Sequence, residues 1–116
     1  GRDLSNRGTL AAGMRELIAS GVEMAVISLG KDGVIGSNGL QTWLARVPAV
    51  KPLSLTGAGD TLTAGCLHCL TRGMAFSEML RFGSALATAS TLKAEPGDFD
   101  PRDFFEIFEK TALRQL

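Results

Sequence analysis

The sequence lacks any bias of charge: 12 basic residues balance 12 acidic ones, and neither sign forms a run. Proteins that grip nucleic acid or an anionic membrane surface concentrate Lys and Arg in one segment or on one face, so neither partner is expected. Long apolar runs are missing as well. The longest uncharged stretch, Gly33 to Ala45, is interrupted by glycines and too short to cross a bilayer. The N-terminus does not follow the basic, apolar, small-residue order of a secretory signal, and a cytoplasmic setting is the resulting expectation. Residues for metal or thiol chemistry are scarce: one histidine and two cysteines. Cys66 and Cys69 lie three apart on a segment that reads as helix, which turns His68 away from both thiols, and a tetrahedral zinc site needs four ligands. Redox Cys-x-x-Cys pairs open helices rather than occupy their middles. Both cysteines are expected to pack as small apolar side chains and His68 to lie at the surface, with no metal held by the chain itself.

What is present is organised around Leu53-Ser54-Leu55-Thr56-Gly57-Ala58-Gly59-Asp60-Thr61-Leu62-Thr63-Ala64-Gly65. A proline-punctuated extended run meets two glycines one residue apart, and a carboxylate follows at the head of a predicted helix. The first N–H groups of a helix have no intrahelical acceptor and sit at the positive end of its dipole, so such a turn suits an anion. A carboxylate there would only repel a passively bound phosphate. If Asp60 takes a proton from a hydroxyl while the amides of Gly57, Ala58 and Gly59 hold a transferring phosphoryl group, both features have a purpose. A purely structural reading stands beside this one: Thr56 caps the helix, the glycines make the connection and Asp60 complements the dipole.

In this stretch the chain resembles the pfkB/ribokinase carbohydrate kinases, whose C-terminal signature is close to D-T-x-G-A-G-D-x-F-x-A-G. Here it stands as S-L-T-G-A-G-D-T-L-T-A-G, Ser54 to Gly65, and upstream Val26-Ile27-Ser28-Leu29-Gly30-Lys31-Asp32-Gly33 is similar to the family's nucleotide-side strand and turn. The resemblance runs from about Thr9 to Glu109 and covers only the last third or so of such a kinase. It implies an α/β architecture, the C-terminal part of a ribokinase-like three-layer αβα fold. Residues 1–116 would form one α/β domain on the nucleotide side, with the N-terminal sugar-binding half, the lid and an Asn-Glu motif associated with magnesium lying before Gly1.

By that resemblance Asp60 is the catalytic base, Gly57, Ala58 and Gly59 form the anion hole, and Ser28, Gly30, Gly33 and Gly59 lie along the nucleotide. The implied reaction is ATP-dependent phosphorylation of a sugar or sugar phosphate, with Mg2+ held mostly by groups outside this chain and the fragment alone inactive. A monovalent cation near the loop before the last helix belongs to the same picture, but Lys93-Ala94-Glu95-Pro96-Gly97 and Ser54 depart from the ribokinase pattern there. The Ser-x-x-Gly-Ala-Gly-Asp form looks like the 1-phosphofructokinase and tagatose-6-phosphate kinase branch. Other readings stay open: a ribokinase-like, nucleoside or pseudouridine kinase, or a non-catalytic nucleotide-binding module. Dinucleotide binding through G-x-G-x-x-G fails because Leu62 stands where the third glycine belongs, and no Walker A motif occurs.

Along the chain, Gly1 to Arg7 is polar and expected to fray, and Thr9 is expected to cap a helix whose apolar face is Leu10, Met14, Leu17 and Ile18, with Gly21 as its stop. Val22 to Leu29 reads as a strand covered on both faces in a parallel sheet. Gly30 to Gly33 turns the chain into Val34-Ile35-Gly36, and Ser37-Asn38-Gly39 turns it again into Gln41 to Arg46, where Trp43 is expected to pack rather than to serve as an adenine platform. Helices follow over Ala58 to Thr71 and from Ser77, a candidate cap, to Leu92, with Ser84 to Thr91 small enough for close packing. Asp100 caps the final helix, Pro101 opens it, and Phe104, Phe105, Ile107 and Phe108 form its apolar face. A sheet ending where relatives continue would expose an edge, so a homo-oligomer is a further expectation.

Overall fold

A computed structural model describes residues 7–116. Helix α1 (Arg7–Ala19) leads into strand β1 (Ala25–Ser28), a single 3-10 turn (Gly30–Asp32), β2 (Val34–Ser37) and β3 (Thr42–Arg46). Helices α2 (Ala58–Thr71), α3 (Phe76–Ser90) and α4 (Pro101–Lys110) follow, and a last strand β4 (Ala112–Gln115) closes the chain. The expected polar lead lies outside the described residues except for Arg7, as do the side chains of Thr9 and Leu10. Since α1 begins at Arg7, Thr9 stands within the helix and not at its cap.

The four strands pair in the order β1-β2-β3-β4, and every pairing is antiparallel. The expectation of a parallel strand over Val22 to Leu29 is thus corrected in pairing and in length. The cause is local: the Leu29 N–H donates to the Gly33 carbonyl at 2.8 Å, closing a turn so tight that β2 must run back along β1. Gly33 is the residue that permits it, with φ +105° and a position where any Cβ would collide with the carbonyl oxygen of Ala45. The second connection is a four-residue loop, not a two-residue hairpin turn. Asn38 Oδ1 accepts from the N–H groups of Leu40 (3.0 Å) and Gln41 (2.8 Å), an Asx-type closure.

Alternation along the strands then builds two cores. Ile35 and Leu44 are cross-strand partners and meet buried Met14 of α1 on one face. Val34 and Ala45, the adjacent pair, point the other way and join Leu62, Cys69, Met79 and Leu80 of α2 and α3. Helices therefore cover both faces, giving the three layers expected. Trp43 packs half-buried at the margin of the second core, its indole N–H on Gln41 Oε1 at 3.1 Å.

On that side α3 is the pivot. Its contact with α2 is closest where Gly65 meets Gly83: a Cβ on Gly65 would stand 3.0 Å from the Gly83 Cα, and one on Gly83 would stand 2.7 Å from Cys66 Sγ. Cys69 is buried and Cys66 half-buried, neither in a disulfide, and burial followed by the neighbouring Cys69 pushes the Cys66 thiol up to about 11. That suppresses thiolate at neutral pH and fits the packing role expected. His68 is exposed and stacks on Phe82. Ser77 lies inside α3, whose cap position is Ala75, so the candidate cap is corrected by two residues. α4 begins as expected, with Asp100 Oδ1 accepting from the Arg102 N–H at 2.9 Å and Pro101 at the first helical position. Phe104 and Ile107 are buried, Phe108 is partly so, and Phe105 points to solvent.

Two measurements test this packing. Gly83→Val should destabilise by at least about 1–3 kcal/mol in chemical denaturation, because neighbouring backbone cannot retreat. Gly13→Ala in α1, where nothing lies within 4 Å, should instead stabilise by about 0.5–1 kcal/mol through backbone entropy. The Asp100 carboxyl is held below its usual range by its hydrogen bonds from Arg102. Its contribution is present above the unfolded-state pKa and lost as pH falls through the lowered one. Asp100→Ala should therefore melt earlier than the native chain at neutral pH, with the gap closing under acid.

Candidate functional site

The turn before α2 is assembled by three anchors. The N–H groups of Leu53 and Ser54 both donate to the Thr91 carbonyl, at 2.7 and 3.0 Å, tying the lead-in to the end of α3. Ser54 Oγ accepts from the Thr56 N–H at 3.2 Å. Gly57 takes φ +81°, and its missing side chain lets Pro96 approach to where a Cβ would be 3.0 Å away. The loop after α3, which looked merely divergent in sequence, is thereby placed against the glycine turn.

Gly57, not Thr56, holds the cap position of α2, and no side chain caps the helix. The first amides stay free: among the described residues the N–H groups of Gly59 and Asp60 have no backbone acceptor, and that of Gly57 has none either. The Ala58 N–H is different, since it donates to the Leu55 carbonyl at 3.3 Å. The free donors are thus Gly57, Gly59 and Asp60, with Ala58 engaged in a long bond. Thr61 and Thr63 turn their hydroxyls back onto the carbonyls of Gly57 (2.9 Å) and Gly59 (3.1 Å), which leaves the helix mouth to backbone donors and to Asp60.

Asp60 is in the first turn of α2 and exposed, and its carboxylate has no hydrogen-bond or ion-pair partner among the described residues. Gly59 beside it is informative for what it does not do. Its φ is not in the left-handed region and nothing lies within 4 Å of its Cβ position, so neither conformation nor packing demands a glycine there. Its effect is to leave the face of the exposed amides open.

Ser28, Gly30 and Gly33 lie at the end of β1 and in the following turn. Ser28 is exposed, Gly30 has φ +63° with open space around it, and Gly33 is buried against β3. The Gly33 N–H donates to the Gly30 carbonyl at 3.2 Å and the Asp32 N–H to the Leu29 carbonyl at 3.3 Å, so part of this turn is spent on itself. No hydrogen bond or ion pair joins it to Gly57–Asp60 among the described residues. A cleft of about 180 Å³ between the Pro48–Val50 segment and α4 contains none of the candidate residues. Among the described residues no group of three or more His, Cys, Asp or Glu side chains could hold a metal ion, and no helix is long and apolar enough to cross a membrane.

With this geometry in place, comparison with known proteins is specific. Residues 2–102 match the model of the pfkB family carbohydrate kinases. The chain is 37% identical over 94 residues to the 1-phosphofructokinase of Rhodobacter capsulatus, which covers 81% of this chain and 28% of that protein. It is 24% identical over 107 residues to a tagatose-6-phosphate kinase of Staphylococcus epidermidis, covering 92% of this chain and 34% of the relative. Among solved structures, phosphofructokinase-2 of Escherichia coli in complex with potassium superposes with a TM-score of 0.83 at 28% identity, covering 93% of this chain and 35% of that one. The chain spans about a third of the length of these relatives. The match runs through both the strand–turn at Ser28–Gly33 and the glycine turn at Gly57–Asp60, and the chain belongs to the pfkB family of carbohydrate kinases.

Proposed function

We propose that this chain supplies the phosphoryl-transfer turn of an ATP-dependent kinase acting on a hydroxyl of a sugar or sugar phosphate. It would form the nucleotide-side, C-terminal part of the enzyme, working in the cytoplasm. The observation that carries the reading is the unforced glycine at position 59, beside exposed backbone donors and an exposed carboxylate. A helix that needed only to begin would gain from a side chain there. In the proposed reaction Asp60 Oδ accepts the proton of the acceptor hydroxyl as the oxygen attacks phosphorus, and the bond to the leaving phosphate oxygen breaks. The N–H groups of Gly57 and Gly59 point toward the charge that develops on the transferred group, with Ala58 able to join by giving up its long bond to Leu55. Ser28, Gly30 and Gly33 lie along the nucleotide. Mg2+, with its ligands mostly outside this chain, would neutralise phosphate charge when bound. The names of the relatives, 1-phosphofructokinase and tagatose-6-phosphate kinase, favour a sugar phosphate over a nucleoside as acceptor.

Asp60→Asn, made in the complete kinase, should lower turnover at least roughly a hundredfold with ATP affinity little changed, because the amide keeps the shape but cannot accept the proton. Phosphorylation measured across hexose phosphates, hexoses, ribose and nucleosides, with melting as a fold control, decides this. A folded variant retaining most activity would return Asp60 to a helix-dipole role. Gly59→Ala separates fold from function in the 116-residue chain. Melting should rise, by up to about 1 kcal/mol of added stability, while calorimetric ATP binding should weaken as the methyl enters the open face. Weaker melting, or unchanged ATP binding, would count against the assignment.

A further inference from the structure

The sequence holds two asparagines, Asn6 and Asn38, and only Asn38 is followed by a glycine. The loop around it, between β2 and β3, carries groups that the proposed phosphoryl transfer leaves unused. Gly39 is exposed, takes φ +88° and has no side chain, so its amide nitrogen is unhindered. Its N–H donates to Ser37 Oγ at 3.3 Å, and Thr42 Oγ1 lies 3.0 Å from that same oxygen. Hydroxyl hydrogens rotate to suit their surroundings, so the two side chains make a proton path from the nitrogen toward solvent. On the other side of the loop, Asn38 Oδ1 accepts from the N–H groups of Leu40 at 3.0 Å and Gln41 at 2.8 Å. Two donors on one carbonyl oxygen polarise Cγ and hold the negative charge which that oxygen gains under attack. Asn38 Nδ2 has no hydrogen-bond partner among the described residues, so nothing restrains it as a leaving group.

We propose that Asn38–Gly39 is a self-modification site, where the chain converts its own asparagine to aspartate and isoaspartate with water as the co-reactant. The Gly39 nitrogen attacks Asn38 Cγ, and its proton leaves through Ser37 Oγ to solvent base as the new N–C bond forms. The Cγ–Nδ2 bond then breaks, Nδ2 takes up a proton and departs as ammonia, and a succinimide ring remains. Water adds to one of the two ring carbonyls. Opening at Cγ gives aspartate, whose Oδ1 still accepts from Leu40 and Gln41. Opening at the main-chain carbonyl gives isoaspartate, which routes the backbone through Cβ and Cγ and lengthens it inside the loop that joins the paired residues Ser37 and Thr42. That register also places Gly36, where a Cβ would stand 2.6 Å from Leu80 Cδ2, so the isoaspartyl chain loosens the seat of α3 on the sheet. Either product adds a negative charge to a chain of zero net charge. None of these steps uses Asp60 or a nucleotide.

The test is incubation of the 116-residue chain in mildly alkaline buffer at physiological temperature, followed by mass spectrometry of the tryptic peptide of residues 32–46. A synthetic peptide of residues 32–46 supplies the same sequence without the fold, and Asn6 is the internal control. Asn38 in the folded chain should convert at least roughly threefold faster than in the peptide, because the fold supplies both the donors on Oδ1 and the proton path. Ser37→Ala should slow conversion in the folded chain at least roughly threefold, with melting as the fold control. Thr42→Val interrupts the same path and replaces that variant should it not fold. Asn38→Asp should melt with the native chain, whereas the isoaspartyl form, separated by ion exchange from the unconverted chain and by reversed phase from the aspartyl one, should melt earlier. Conversion at or below the peptide rate would overturn the proposal, since the loop would then protect Asn38. So would a folded rate indifferent to loss of the hydroxyl path, or an isoaspartyl form that melts with the native chain.

Discussion

The crossing of α2 over α3 at Gly65 and Gly83 is the contact on which the remaining geometry depends. Two helices approach this closely only where side chains are absent, and a Cβ on Gly83 would also stand 3.2 Å from the Leu62 carbonyl, which is backbone and cannot rotate away. α3 is seated on β2 and β3 through Leu80 and Met79, so fixing α2 on α3 fixes the start of α2 relative to the sheet. The Thr91 carbonyl, at the other end of α3, holds the lead-in of the glycine turn. One helix therefore positions the site from both ends.

Among the described residues the glycines divide into those the fold requires and two it does not, Gly13 inside α1 and Gly59 at the mouth of α2. Gly33 is required by a left-handed φ and by the carbonyl of Ala45, Gly57 by its φ and by Pro96, and Gly65 and Gly83 by each other. For all of these a structural explanation suffices. Gly59 has no such explanation, which makes it the most informative residue of the motif even though Asp60 carries the proposed chemistry. Its presence costs helix propensity where alanine would fit, as that of Gly13 does in α1, but only Gly59 stands beside amides that lack backbone acceptors, and that combination points to a ligand.

Much of this was legible in the sequence because the signals were local. Residues 58–71 could be read as a helix from a glycine turn at one end and Arg72-Gly73 at the other, and Asp100-Pro101 marked the start of α4 by the chemistry of a cap. What was missed is non-local. β4 is four residues long, and its pairing with β3 is set by residues some seventy positions away, so nothing near Ala112 announces it. The apolar run of Val22 to Leu29 suggests a parallel strand, yet its partner is decided by the turn at Leu29–Gly33. Composition says how buried a strand is and not which way its neighbour runs. The approach of Pro96 to Gly57 was invisible for the same reason, joining two loops on either side of two helices.

The two ends of α2 pose complementary physical problems. At its start, backbone donors and the Asp60 carboxylate face solvent, where hydrogen bonds to a phosphoryl group compete with water and gain little. Toward its end, leucines face solvent, where they lose the free energy that burial would return. Excluding water from the turn would strengthen the charge–dipole interactions there, and burying Leu67 and Leu70 would return free energy at the far end of the same helix. Binding energy gathered far from the chemistry can make the amides of the turn effective, so the proposed reaction does not depend on residues 57–60 alone.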